Sequence, residues 1–435
     1  MMDETQHSPE TLAPLDDGER FDWLRLLRCE NIGPRTFQVL LSRHGSAGAA
    51  LAALPALIAS GKAGRPVRIA TIEEIEREVE ATHKAGARFI GIGEPEYPAL
   101  LRRTASAPPV IAVRGNFASL KRSKIAIVGA RNASAAGLAF TAQLARGIAR
   151  SGHVIVSGLA RGIDARAHQA AIETGTIAVL AGGLGNIYPA EHEALLERLL
   201  EHGAAISEMP FGWEARGRDF PRRNRIVAGL CRAVVVVEAA RRSGSLITAR
   251  FAAEAGREIF AVPGSPLDPR AEGANDLLSD GATFCTKAED VTSALAEQNL
   301  SREQPDAGFS EPGFAGGQYE PLWDELDLAE AAGAVPFVAA PQEPDNAAPK
   351  AASAGEGSPA AKPAGRPQDI ERRLIELLGP VPVPVDELAR MAEIPAREVR
   401  TALFALKLAG QVEWHGGDLV SSLPTAWPRA DYHEE

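Results

Sequence analysis

Runs of consecutive apolar residues, many of them β-branched, recur through the middle of the chain and predict a parallel sheet. They begin at six positions that are 23 to 29 residues apart: Lys124, His153, Thr176, Ala204, Arg232 and Glu258. Helical stretches separate them, and the runs lack strict alternation, as is typical of strands buried on both faces. The pattern predicts a doubly wound, Rossmann-like α/β domain over residues 120–296.

Residues 1–119 are predicted to form a helical domain. In FDWLRLLRCENIGPRTFQVLLSRHG, apolar residues at helical spacing lie on both sides of a break. Gly33 supplies the turn and Pro34 opens the second helix. Shorter helices are predicted around Gly48–Ala59 and Ile72–Ala85.

Residues 297–367 are predicted to be a linker, and largely disordered. They contain ten prolines, eight glycines and sixteen alanines, with twelve acidic side chains against four basic ones. Only Tyr319–Leu328 has apolar spacing, and it is a candidate for a short acidic docking helix. Residues 368–435 show three amphipathic helical patterns and a hairpin about Gly416–Gly417, which together predict a winged helix.

The composition indicates a globular protein of a reducing compartment. Hydrophobic residues make up 45% and charged residues 24%, and no window is long and apolar enough to predict a membrane span. The N-terminus is polar, without the apolar core of a secretory signal. Three widely separated cysteines encode neither a disulfide framework nor a zinc site. We therefore expect a cytoplasmic location.

The net charge of −11 hides one strongly basic segment. Between Arg216 and Arg250 there are nine arginines and two acidic residues, Asp219 and Glu238. An anionic ligand responds to the field of the patch that it meets, within about a Debye length of 8–10 Å. The acidic total therefore does not exclude a nucleic-acid partner.

The loop after the first strand of the α/β domain, VGARNASAAG, is not a dinucleotide fingerprint. Arg131 stands where a glycine would be needed, and no GxxxxGK[ST] motif occurs in the chain, so NAD and ATP sites are disfavoured. An arginine at a strand end beside a helix N-terminus suits a phosphate. A structural salt bridge is the alternative for Arg131.

The loop after the second strand, SGLARGIDARAH, contains two glycines that allow a tight turn, Gly158 and Gly162. Asp164 is a candidate N-cap for the following helix. Asp164 and His168 share one helical face, but without a third ligand a structural hydrogen bond is favoured over a metal or catalytic pair.

The basic segment carries the most informative chemistry. Phe220 and the residues up to Arg225 (FPRRNR) are predicted to lie ahead of a helix, and Ser243–Gly244–Ser245 meets the N-terminus of another. Phenylalanine can stack on a base, arginines can pair with phosphates, and the serine turn offers donors to an oxyanion. A solvated run of charges is the alternative. No nucleophile with its base is present.

With these motifs in view, the chain resembles the bacterial DNA-processing protein A family. The resemblance rests on motifs in one order: KIAIVGAR, VIVSGLARGIDARAH, TIAVLAGGLGNIYP, AISEMPFG, FPRRNRIVAGL, VVVEAARRSGSLITAR, VPGSP and GANDLLSDGA. FPRRNRIVAGL together with RSGSLITA is the most specific. The N-terminal zone is similar to a sterile-alpha-motif-like domain, and the C-terminal zone is similar to a winged helix.

The resemblance implies a Rossmann-like fold that binds single-stranded DNA without hydrolysing nucleotides. It implies a homodimer that loads the RecA recombinase during natural transformation, with no catalytic residue, metal or cofactor. Carried over position by position, the DNA site comprises Arg131, Ser157, Gly158, Phe220, Arg222, Arg223, Asn224, Arg225, Ser243, Gly244 and Ser245.

Two other functions fit parts of the sequence. Phosphoribohydrolases of similar fold carry a PGGxGTxxE loop, but here Asn186 replaces the threonine and Pro189 the catalytic glutamate. A winged-helix transcription factor would need a basic recognition helix, whereas residues 368–422 contain nine acidic and six basic residues. The winged helix is therefore predicted to contact protein rather than duplex DNA.

Overall fold

A computed structural model of the chain describes residues 15–59, 68–302, 367–379, 381–409, 411–415 and 418–422. The described residues begin with four helices: α1 Asp17–Leu27, α2 Pro34–His44, α3 Ala47–Ala59 and α4 Ile72–Lys84. Gly33 is the N-cap of α2 and Pro34 its first residue, which confirms the predicted turn. Arg28 links these helices to the α/β domain. It donates to Glu78 Oε1 of α4 (2.7 Å) and to the carbonyl of Glu208 in the α/β domain (3.3 Å).

Nine strands of the described residues form one sheet: β1 Ala87–Gly91, β2 Val110–Gly115, β3 Lys124–Val128, β4 Val154–Ser157, β5 Thr176–Val179, β6 Ala204–Ser207, β7 Ala233–Val236, β8 Glu258–Ala261 and β9 Thr283–Phe284. Their order is β1-β2-β6-β5-β4-β3-β7-β8-β9. Strands β3 to β9 pair in parallel, which confirms the doubly wound α/β fold. The antiparallel strands β1 and β2 precede residue 119, the predicted domain boundary, yet join this sheet.

Helices cover both faces of the sheet, so its central strands are buried and mostly apolar. The helices are α5 Ala99–Arg102, α6 Ala135–Arg150, α7 Ile163–Ala171, α8 Glu193–Leu200, α9 Asp219–Leu230, α10 Gly244–Glu254, α11 Glu272–Ser279 and α12 Ala288–Arg302. In β3, Ile125 and Ile127 pack on the face covered by α6 and α7, while Ala126 and Val128 pack on the opposite face with α9 and α10.

The C-terminal part of the described chain is a winged helix, as the sequence predicts. It comprises α13 Pro367–Leu377, β10 Val383–Pro384, α14 Val385–Ala392, α15 Ala396–Leu408, β11 Val412–His415 and β12 Leu419–Ser422. Its three strands are ordered β10-β12-β11. The predicted docking helix at Tyr319–Leu328 lies outside the described residues. Among the helices that are described, none is long and apolar enough to cross a membrane.

Candidate nucleic-acid site

The candidate site lies at the carboxyl edge of the parallel strands, where loops from several strands meet. Strand β3 lies between β4 and β7, so the chain leaves β3 toward one side of the sheet and later returns on the other. Open α/β sheets bind ligands at this kind of reversal. The β3–α6 loop carries Arg131, and the loops after β4, β5 and β7 surround it.

Three exposed or half-buried side chains form a platform on this edge: Arg131, Tyr188 and Phe220. The guanidinium of Arg131 lies 5.0 Å from the centre of the Phe220 ring. The Tyr188 ring meets Phe220 edge-on, with 5.5 Å between ring centres, and 47% of Tyr188 is exposed. We call these three residues the aromatic platform. It combines flat apolar surfaces with one positive charge.

Phe220 and the following arginines lie inside α9 rather than ahead of it, so the predicted position of the helix start was wrong. Asp219 opens the helix and accepts hydrogen bonds from Trp213 Nε1 and from the Arg216 amide, each at 2.9 Å. Pro221 is tolerated because the amides of a first helical turn have no partner within the helix. The helix therefore starts before Pro221.

Arg223 is buried and hydrogen-bonded to the protein itself. Its Nη1 donates to the carbonyl of Gly158, which follows β4, and to that of Val179 (2.7 Å), the last residue of β5. Its Nε donates to Asn224 Oδ1 (3.1 Å), and Asn224 Nδ2 donates to the Gly244 carbonyl (3.0 Å). This network joins two strand ends to the serine turn. A direct contact of Arg223 with a ligand stays a prediction.

Asp164 was predicted to be the N-cap of α7, but Gly162 occupies that position. The Asp164 carboxylate accepts from the amides of Gly158 (3.0 Å) and Ala160 (3.4 Å), and these hydrogen bonds stabilise the glycine turn. Burial raises the pKa of Asp164 and lowers the pKa of Arg223 to about 10. Their opposite charges offset part of the cost of burying each.

The other two arginines of α9 are buried as well. Arg225 pairs with Glu208 and donates to the Ser106 carbonyl, while Arg222 lies 3.4 Å from Asp219. Ser157 is fully buried, and its hydroxyl donates to the Ile127 carbonyl (2.7 Å). These side chains fix the shape of the site from within.

The serine turn begins α10, as predicted. Ser243 is the N-cap, and its hydroxyl accepts from the Ser245 amide (3.3 Å) and pairs with the Ser245 hydroxyl (2.7 Å). Gly244 is exposed and Ser243 half-buried, whereas Ser245 is buried. Of the predicted DNA-binding residues, Arg131, Phe220, Ser243 and Gly244 reach the surface, and the other seven are buried.

The N-terminus of α6 is already occupied by a carboxylate of the protein. Glu238, just after β7, accepts from the Ser134 amide (2.9 Å) and from the Ser134 hydroxyl (2.5 Å), and Ser134 in turn caps the helix. We expected the N-terminus of α6 and Arg131 to bind a phosphate together. For the helix N-terminus this expectation is wrong, because Glu238 occupies it. Arg131 itself remains exposed.

His168 has a structural role, as was favoured over a metal or catalytic role. Its Nδ1 pairs with Thr176 Oγ1 (2.8 Å), and burial lowers its pKa to about 3. In the parts of the chain that the structure describes, no group of three metal-ligating side chains occurs.

Tyr188 is the platform residue that the sequence analysis missed. The signal available was its position at the end of the loop that follows β5, beyond a strand end on the ligand side. Its contact with Phe220, 32 positions later, depends on the tertiary fold.

Comparison with known proteins places these features in one family. Family models match residues 88–296 ("DNA recombination-mediator protein A"), 17–81 ("DprA-like N-terminal HHH domain") and 358–418 ("DprA winged helix domain"). DNA processing protein DprA of Bacillus subtilis is 41% identical over 235 residues, which cover 53% of this chain and 79% of the relative. Protein Smf of Escherichia coli is 37% identical over 320 residues, or 73% of this chain and 72% of the relative.

A solved structure concerning the single-stranded DNA binding mode of DNA processing protein A from Helicobacter pylori is also similar. It is 27% identical, and the match covers 49% of this chain and 96% of that chain with a TM-score of 0.45.

The buried His168 predicts a stability change with pH. Between pH 6.5 and about 3, the unfolded chain binds a proton at this position that the folded protein does not, so folding stability falls as the pH drops. Relative to His168→Gln, the parent protein should lose roughly 2 kcal/mol of unfolding free energy between pH 7 and pH 5. Denaturant unfolding at both pH values measures this difference. The exposed His202→Gln is the control, and a pH dependence left unchanged by His168→Gln would contradict the assignment.

Proposed function

The chain belongs to the DNA-processing protein A (DprA/Smf) family, and from that membership we propose that it binds single-stranded DNA without catalysing a reaction on it. The observation that carries the proposal is the aromatic platform, in which Arg131, Phe220 and Tyr188 lie together on the ligand edge of the sheet.

The platform suits unpaired bases because stacking requires an accessible base face. Each base has such a face, so aromatic side chains bind single strands with little dependence on sequence. In a duplex these faces are covered by neighbouring base pairs. Arg131 would pair with a phosphate beside the stacked base, and Ser243 and Gly244 would contact the backbone as surface groups.

The buried residues of the predicted site would act on DNA indirectly. Arg223 and Asn224 hold the ends of β4 and β5 against the serine turn, and Asp164 holds the glycine turn. We assign positioning roles to them, and contacts to Arg131, Phe220 and Tyr188.

The proposal of a non-catalytic role rests on where the reactive groups lie. Asp164 and His168, the acid and base that share one face of α7, are both buried and hydrogen-bonded within the protein. The position of the phosphoribohydrolase glutamate is held by Pro189. We also propose that the protein is a homodimer and transfers its DNA to the RecA recombinase during natural transformation. We assign no residues to those two contacts.

The first prediction of this proposal concerns the type of strand. The protein should bind single-stranded oligonucleotides of unrelated sequence with similar affinity, and duplexes of equal length more weakly. Affinity should fall with salt, because bound phosphates release counterions. Fluorescence anisotropy at two salt concentrations measures both effects. Equal affinity for single strand and duplex at matched salt would refute the proposal.

The second prediction distinguishes a residue that contacts DNA, Arg131, from a residue that positions the site, Arg223. Arg131→Ala should weaken single-strand binding by about 1–3 kcal/mol and reduce the salt slope by roughly 0.7, because one phosphate contact is lost. Its melting temperature should stay close to that of the parent. Arg223→Lys keeps the charge but loses the planar fork that reaches several acceptors, so it should lower the melting temperature as well as the affinity.

Thermal melting and salt titration of both variants provide the comparison. Arg131→Lys is the matched control, since it preserves a positive charge at an exposed position. If Arg223→Lys melts like the parent while its affinity for single-stranded DNA falls, Arg223 contacts the DNA directly and the positioning role is wrong.

The third prediction concerns the part of the chain after Glu297. Deleting the chain after Glu297 removes an acidic linker and a net acidic winged helix, so DNA affinity should be retained or slightly raised. Anisotropy titration of the shortened chain tests this. Loss of binding on truncation, with binding retained in Arg131→Ala, would assign DNA recognition to the winged helix instead.

A further inference from the structure

The winged helix is docked on the α/β domain through a polar contact at the end of α13. Arg270, in the loop between β8 and α11, donates from Nη1 to the Glu376 carbonyl (3.2 Å) and from Nη2 to the Leu378 carbonyl (3.0 Å). The last carbonyls of a helix have no partner within it, and they form the negative end of the helix dipole. A guanidinium satisfies both requirements at once.

Asp268 orients this guanidinium. Its two carboxylate oxygens accept from Arg270 Nε and Nη2, each at 3.0 Å. Gly379 lies close against the pair, since a Cβ atom at this position would be 2.9 Å from Arg270 Nη2. We call Asp268, Arg270 and the two carbonyls of the α13 end the clasp.

An apolar contact lies beside the clasp. Ala135, at the start of α6, is fully buried in the hydrophobic cluster of the winged helix, and Ala136 packs against the same cluster. Helix α14 also contacts α6. The contact consists of one guanidinium and a few small apolar side chains, and interfaces of this limited kind between domains open and close readily.

The docked position is close to the aromatic platform. Ser134 is next to Gly379, and it follows Arg131 by only three residues, which span at most about 11 Å. Gly379 therefore lies within about 15 Å of the Arg131 backbone, and charges on the winged helix act on Arg131 most strongly at low salt, where the Debye length is about 30 Å at 0.01 M. Residues 368–422 contain nine acidic and six basic side chains.

We propose that the docked winged helix is an autoinhibitory element that weakens polyanion binding at the platform and is released when single-stranded DNA binds. The proposal rests on the proposed DNA-binding function. Docking brings a domain of net negative charge to the base of the Arg131 loop, and it restrains that base through Ser134 and Ala135. Because coupling between two binding events is reciprocal, DNA should also weaken the docking.

A disulfide across the interface tests the coupling in the full-length chain. An ideal Cβ at position 379 lies 3.8 Å from the Ser134 Cβ, which is the usual separation in a disulfide. The double variant Ser134→Cys/Gly379→Cys should therefore form the bond under mild oxidation, and the three native cysteines are buried. The oxidised form should bind a single-stranded oligonucleotide at least about fivefold more weakly than the reduced form of the same protein.

Two further measurements use the same protein. Adding oligonucleotide should slow formation of the disulfide, because DNA favours the released winged helix. Each single cysteine variant, treated identically, controls for the loss of the Ser134 cap and of Gly379. The release variant Arg270→Ala should bind DNA more tightly than the parent. Its matched control is Arg114→Ala, which removes a half-buried ion-paired arginine from β2 and should not increase affinity.

The possible outcomes separate this inference from the proposed function. Equal DNA affinity in the oxidised and reduced forms would overturn the autoinhibition while leaving single-strand binding intact. A DNA affinity of Arg270→Ala no higher than that of the parent would overturn it as well. Absence of single-strand binding in every form, including Arg270→Ala, would overturn the proposed function and the inference with it.

Discussion

The buried guanidinium of Arg223 is the interaction on which the candidate site depends. It binds the carbonyl at the end of β5 and the carbonyl that follows β4, and through Asn224 it reaches the turn before α10. Burying an unpaired charge costs several kcal/mol, so each of these partners is needed. With Asp164 as counter-charge, the network fixes α9 against two strand ends. Phe220, one turn earlier on α9, is thereby held next to Arg131.

The burial of the α9 arginines changes how the basic segment contributes to the charge of the site. Nine arginines between Arg216 and Arg250 suggest a strongly positive groove, but the three in α9 are buried among carbonyls and carboxylates. Positive charge at the surface near the platform comes instead from arginines outside α9, including Arg131, Arg161 and Arg242, which are exposed. The site is therefore defined more by the shape of an aromatic surface than by an excess of charge.

The sequence predicted the parallel strands well because strands buried on both faces need uninterrupted apolar runs, and each of the six runs became a strand. It also placed the serine turn correctly at the start of α10. It could not show which arginines face inward, since Arg223 finds Gly158 across 65 positions and α9 is buried on most sides. Strands β1 and β2 were missed because they lie in a segment dominated by helical patterns.

The pairing of Glu238 with Ser134 explains why this fold would bind a strand rather than a free nucleotide. In dinucleotide-binding proteins of similar topology, the helix N-terminus after the first strand receives the phosphates. Here a carboxylate of the protein occupies that end of α6, and a phosphate would have to displace it. The remaining contacts lie outward, on the open surface of the aromatic platform. An open surface would hold a single base weakly, but successive nucleotides of one strand could bind along it. The linked contacts would give the strand a higher affinity than a free nucleotide has.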